Sequence, residues 1–275
     1  TLAPLGEVIA LGSDELDLAH TQQIRDVLRR EQPEVIVNAA AYTAVDRAEE
    51  ESELAMAVNA RAPGVMAEEA SKLGAALIHY SSDYVFDGEK GAPYVETDAP
   101  KPLSHYGRSK LEGENAISQV GGVHLILRTS WVYDLRRENF VTNVLKWAHS
   151  QQTIRIAADQ VGSPTWSRAL AEVTALVLAK GRDDVLGWLQ ERTGTYHLAG
   201  KGAASRFDWA KAIVELDSGR EDGAPMQVQP AGAEEFPAAA RRPAFSALSC
   251  DRFEEVFGLQ MPHWQDALAL AMRGD

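Results

Sequence analysis

Through its first 160 residues the chain alternates short aliphatic and β-branched runs with segments of helical length. Such an alternation folds into a parallel sheet covered by helices. Strands are predicted at "EVIAL" (7–11), "EVIVNAA" (34–40), "ALIHYSS" (76–82), "HLILRTS" (124–130) and "TIRIA" (153–157). Helices are predicted over "TQQIRDVLRREQ" (21–32), the Ala/Glu-rich stretch 48–73, "HYGRSKLEGENAISQ" (105–119) and "NFVTNVLKWAHS" (139–150). The expected class is α/β, with a doubly wound parallel sheet. Ligands of such sheets bind outside the carboxyl ends of the strands, so chemistry is expected where "NAAAYT" and "YSSDYVFDG" end.

Beyond residue 159 the strand signals thin out, and helical runs at 167–180, 205–217 and 263–273 are separated by Gly/Pro-rich connections. The expected division is a dinucleotide-sized unit over 1–158 and a smaller, more helical region over 159–275, interleaved with the first. Segment 87–104, rich in Gly, Pro and charge, reads as a long surface loop that could serve as a flap. Segment 223–246 reads as a shaped loop, because Phe236, Phe245 and an Arg pair interrupt its bias. No internal repeat or heptad pattern is present.

Charge excludes one class of partner. The formal net charge of -13 opposes the phosphate neutralisation that drives nucleic-acid binding. No apolar run approaches the roughly 18 residues that a membrane span needs, so no membrane partner is expected. The single cysteine, Cys250, cannot form an internal disulfide, which suits a reducing, cytoplasmic compartment. Seven scattered histidines show no metal-ligand spacing, and no metal site is expected.

The chemistry-bearing stretch is "SHYGRSKLEGENAI", residues 104–117. Tyr106 and Lys110 stand at i and i+4, so on a helix they share one face. Alone, the pair is as readily a solvated patch. Ser82, at the end of the strand before the long loop, gives it context. A phenol with a pKa of about 10 donates poorly near neutrality, but an adjacent ammonium and a cationic nicotinamide would lower that pKa. A Ser/Tyr/Lys set of this kind serves hydride transfer to a ketone, with the tyrosine protonating the developing alkoxide.

Taken together, "VIVNAAAYTAVDRAEEE", "IHYSSDYVFDG", "PLSHYGRSKLEGE", "RTSWVYD" and "DQVGSPT" resemble the extended short-chain dehydrogenase/reductases. Within them the likeness is strongest to reductases of a 4-keto sugar carried on dTDP. It runs in order from near residue 2 to near residue 265. It implies a Rossmann-type fold, NADPH as cofactor and a nucleotide-sugar substrate. Position by position, it implies Ser82 as the hydroxyl that polarises the keto group, Tyr106 as general acid, and Lys110 as its partner and ribose contact. Asp83, Trp131 and Arg242 would face the sugar nucleotide. Ala41, Tyr42, Thr43 and Tyr80 would line the cofactor, with Asp17 and Leu18 beside its adenine. Bland readings stand next to these: Asp17 as a helix N-cap, Trp131 as a core aromatic, Arg241 and Arg242 as solvated charge.

The chain also departs from that pattern. The expected first strand and Gly-rich, pyrophosphate-binding turn do not precede "EVIAL", which reads as the second strand. Gly12 stands where an acidic residue would grip the ribose 2′-hydroxyl, so NADH is also admitted. Some members hold Mg²⁺ through glutamates at a dimer interface, but Arg168 occupies one such position. Magnesium is therefore not expected, and the chain is read as a monomer or homodimer. The rival functions are another nucleotide-sugar reductase or epimerase of the same group, and a non-catalytic subunit that keeps the fold to regulate a partner enzyme.

Overall fold

The computed structural model describes residues 1–217 and 226–274, so residues 223–225 of the 223–246 segment lie outside the description. Helix α1 (Thr21–Glu31) buries Ile24 and Leu28, one turn apart, and leaves its polar face to water. Strand β1 (Val35–Asn38) follows, then α2 (Ser52–Met56), a π turn over Ala57–Arg61, and α3 (Ala62–Leu73). The helix expected over 48–73 is thus interrupted by that widened turn. Pro63 is the physical reason, because it offers no N–H to the carbonyl of Asn59 four residues back.

Strand β2 (Ala76–Ser82), helix α4 (His105–Val120) and strand β3 (His124–Thr129) come next. Short β4 (Val132–Tyr133) leads to α5 (Phe140–Ser150) and β5 (Thr153–Ala157). Then come β6 (Val161–Gly162), β7 (Thr165–Trp166), α6 (Ser167–Lys180), α7 (Val185–Gln190) and β8 (Gly194–His197). The chain closes with β9 (Ala204–Ser205), α8 (Arg206–Leu216), β10 (Gln227–Ala231), α9 (Asp251–Phe257) and α10 (Trp264–Met272).

The main sheet has four parallel strands in the order β1-β2-β3-β8. Side chains alternate between its faces. Ala76, Ile78, Leu125 and Leu127 meet Val173 of α6, Leu189 of α7 and Phe253 and Phe257 of α9. Ile36, Leu77 and Ile126 meet Ile24, Val65, Met66 and Ile117 of α1, α3 and α4. Helices on both faces make the sheet doubly wound, as its sequence pattern predicts. Each large aliphatic side chain so buried contributes about 1.5–3 kcal/mol. A second core forms around Trp209, from α5, α8, α10, β5 and β10.

Three expectations change. "TIRIA" is a strand, but it pairs in parallel with β10 in a separate two-stranded sheet. The fourth strand of the main sheet is β8, from the region where strand signals thin out. "EVIAL" forms no strand; Val8, Ile9 and Leu11 are exposed, and edge strand β1 pairs with β2 alone. The 87–104 segment is also pinned rather than free. Tyr94 stacks on Phe86 with ring centroids 4.1 Å apart, and its hydroxyl donates to Asp87 at 2.8 Å.

Candidate active site

The carboxyl end of β2 turns sharply at Ser82 into a 3₁₀ turn over Asp83–Val85, and the Ser82 hydroxyl accepts the Tyr84 N–H at 3.1 Å. Asp83 is buried just beyond. Its carboxylate accepts from Ser246 at 2.5 Å, Ser130 at 2.9 Å and Ser82 at 3.2 Å. Burial pushes this carboxyl up, while those hydroxyls and the Arg206 charge pull it back. Of these hydroxyls, Ser130 and Ser246 tie the turn to segments 47 and 163 positions further along the chain.

Helix α4 brings the second group. Ser104 caps it, its hydroxyl accepting the Gly107 N–H at 3.1 Å, which puts Tyr106 in the first turn and Lys110 in the next. The approach is close because two positions lack a Cβ. A methyl group at Gly107 would lie 2.3 Å from the Tyr84 carbonyl oxygen, and one at Gly113 would lie 2.1 Å from that of Asn59. Asn59, buried in the π turn, donates to the Ser109 hydroxyl at 3.0 Å and exchanges hydrogen bonds with the Tyr42 backbone. Glu114 holds α4 to β3 through a buried, forked ion pair with Arg128 at 2.6 and 2.9 Å.

Tyr106 lies edge-on to Tyr84, with ring centroids 5.5 Å apart. Burial raises its phenol well above the ordinary value; the hydrogen bond with Ser82 opposes this, and the Asp83 and Tyr84 charges add to it. The lowering expected from Lys110 is not what the structure gives. The Lys110 amine is buried, donating to the Tyr80 carbonyl at 2.7 Å and facing His79 Nε2 at 3.4 Å. Burial pushes Lys110 down to about 8, against the favourable charge of Glu114.

The remaining predicted residues divide between this centre and its surroundings. Ala41, Tyr42 and Thr43 follow β1, whose carboxyl end lies beside that of β2. The Tyr42 hydroxyl is engaged by Glu51 at 2.6 Å, and Thr43 is exposed. The Tyr80 side chain points to the opposite face, its hydroxyl 2.6 Å from Thr174, so only its carbonyl reaches the centre. Asp17 is exposed before α1; it accepts from the Ala19 N–H at 2.9 Å and contacts His20, while Leu18 packs beside the α1 core. His20 occupies the N-cap of α1, so Asp17 shapes a turn instead. Trp131 sits just past β3 at a φ of 44°, a costly conformation for a bulky residue. Its indole packs against Arg206, whose guanidinium carbon is 3.6 Å from the ring centroid. Arg242 is spent on Asp46 at 2.6 and 3.2 Å, and it also faces the Tyr84 phenol. Arg168 pairs with Glu172 at 2.8 Å.

Comparison with known proteins places this geometry. The family model for the RmlD substrate binding domain matches residues 1–274. A dTDP-4-dehydrorhamnose reductase of Burkholderia thailandensis is 41% identical over 277 residues, covering 99% of this chain and 92% of that protein. The chain belongs to the dTDP-4-dehydrorhamnose reductase family. A solved reductase of this family from Clostridium acetobutylicum superposes with a TM-score of 0.87 at 34% identity, covering 97% of this chain and 90% of that one. Another, from Bacillus anthracis and solved in complex with NADP, gives 0.85 at 32% identity, with 96% and 89% covered.

Within this member of the reductase family, three residues at the centre escaped sequence reasoning. Asn59 lies in a helix that reads as continuous, and nothing local marks its π turn. His79 lies mid-strand, and only its polarity in an otherwise aliphatic run could have singled it out. Arg206 opens α8, and burial among aromatic rings lowers it to about 10 against the favourable Tyr84 and Asp83 charges. The among-strand and cross-unit partners of all three are far away in sequence.

Proposed function

We propose that Ser82, Tyr106 and Lys110 carry the reduction of the 4-keto group of dTDP-4-dehydro-6-deoxy-L-mannose to dTDP-L-rhamnose, with NADPH as reductant and NADH tolerated. The observation that carries this reading is the meeting of the Ser82 hydroxyl, at the end of β2, with the Tyr106 phenol in the first turn of α4. A substrate carbonyl seated between them would accept from both.

The residues present suit a dinucleotide. Ala39 and Ala40 are exposed at the end of β1 and carry only methyl groups, so a cofactor could lie against their backbone. Lys110 uses one N–H on Tyr80 and has others for a ribose hydroxyl. When bound, the reduced nicotinamide supplies the hydride. The chain supplies the rest. Held above its ordinary value, the Tyr106 phenol is fully protonated at neutral pH. An alkoxide is a stronger base than a phenolate, so proton transfer from Tyr106 to the forming alcohol runs downhill. On substrate binding Ser82 would turn its single O–H, held by Asp83 in the free site, to the same oxygen, and the ammonium of Lys110, one turn along α4, would favour the phenolate left behind.

The division of labour follows the two cores: the parallel sheet for the cofactor, and the unit around Trp209, with Trp131 and Arg242 at its edge, for the sugar nucleotide. No helix among the described residues is long and apolar enough to cross a membrane. We place the enzyme in the cytoplasm, acting as a monomer or homodimer.

The test is NADPH oxidation in the presence of the 4-keto sugar nucleotide, comparing the chain with Tyr106→Phe. Turnover should fall by about 10²–10⁴ in the variant, with sugar-nucleotide binding retained. Turnover that survives the substitution removes Tyr106 from the role of acid; turnover with a different 4-keto sugar nucleotide alone points to another activity of the group.

A further inference from the structure

Beneath Lys110 lies a buried polar chain that the reduction as described does not use. His79, fully buried in β2, places its ring between Asn38 of β1, 3.0 Å from Nδ1, and the Lys110 amine, 3.4 Å from Nε2. Asn38 and Lys110 are buried as well. The Asn38 amide is oriented by its other end, where Oδ1 accepts the Ala40 N–H at 3.2 Å. Its NH₂ group therefore faces His79, Nδ1 is the acceptor, and the single ring proton sits on Nε2, pointing at Lys110. Burial and the Lys110 charge keep the ring neutral.

Two donors then face each other. While Lys110 is an ammonium, the His79 N–H and the Lys110 N–H groups compete, and the separation of 3.4 Å is long beside the 2.7 Å bond from Lys110 to the Tyr80 carbonyl. When Lys110 is a neutral amine, its lone pair accepts the His79 N–H while one of its own N–H groups stays on Tyr80, and the two donors no longer oppose each other. The other groups around the amine are Tyr80 on β2, Glu114 one turn on along α4, whose charge favours the ammonium, and Tyr106 one turn back.

We infer that His79, locked by Asn38 with its proton on Nε2, is a positioning residue that hydrogen-bonds the neutral amine of Lys110 and so favours it over the ammonium in the active site. It rests on the reading of Lys110 as the partner of Tyr106. Its consequence is an alkaline limit to activity set from below the lysine, by a side chain that touches neither substrate nor the reacting atoms.

Nuclear magnetic resonance of the ¹⁵N-labelled full chain, without substrate, reads the tautomer directly, with the His79 signals assigned by their loss in His79→Gln. The expected result is a neutral ring protonated on Nε2 at neutral pH. In Asn38→Asp the carboxylate draws the ring proton to Nδ1, Nε2 accepts from Lys110, and the alkaline limb of kcat/KM should move up by about one pH unit or more with the sugar-nucleotide KM unchanged. A wild-type ring protonated on Nδ1, or on both nitrogens, overturns the inference. So does an unmoved alkaline limb in an Asn38→Asp variant with the wild-type circular dichroism spectrum. Because the tautomer is measured without substrate, a chain that reduced no sugar nucleotide would leave that result standing.

Discussion

Lys110 brings a charge that water would otherwise solvate into a buried site, and stability as well as catalysis should register this. Its pKa falls from the ordinary 10.5 to about 8 because burial penalises the ammonium. Between those values the unfolded chain binds the proton more tightly than the folded one, so this group's contribution to stability rises with pH across that window. Below about pH 8 the full penalty is present. In denaturant titrations, the stability that Lys110→Met gains relative to wild type should therefore shrink as pH is raised through the window. A constant difference would mean that the amine keeps its ordinary pKa. Asp83 shows the opposite solution to burial, a carboxylate that accepts from the hydroxyls of Ser82, Ser130 and Ser246.

At the scale of elements, the site is built by how closely α4 can approach the turn after β2 and the π turn before α3. Gly107 and Gly113 make that approach possible, and Asn59 and Ser109 bond across it. A methyl group at Gly107 cannot be relieved by a flexible side chain, since the atom it meets is the Tyr84 carbonyl oxygen at 2.3 Å. Gly107→Ala should cost about 1–3 kcal/mol of stability by overpacking. It should also lower kcat more than it raises KM, because the first turn of α4, with Tyr106, is pushed away from Ser82. Chemical denaturation and steady-state kinetics on the same variant check both; wild-type kcat would show that the helix start can shift without cost to the chemistry.

Across the whole molecule, the two cores are interleaved along the chain, and side-chain bonds tie one to the other. Arg242, from the segment after β10, reaches Asp46, which follows β1. Both partners are partly solvated, so the pair contributes only about 0–1 kcal/mol. Arg242→Ala should leave the melting temperature nearly unchanged yet raise the KM for the sugar nucleotide, as the segment loses its hold beside Tyr84; a large fall in melting temperature would instead make the tie structural. Much of this architecture is legible in one dimension. The alternation of strand and helix patterns and the one-turn spacing of Tyr106 and Lys110 are local, and local periodicity decides which side chains share a face. Pairing is another matter. That 153–157 joins 227–231, that β8 completes the main sheet and that "EVIAL" stays outside it depend on which edges meet. The same holds for Ser246 on Asp83, Asn38 behind His79 and Arg206 over Trp131. A buried polar group must find a partner, but its type says only that one is required; which residue answers is decided when the elements pack.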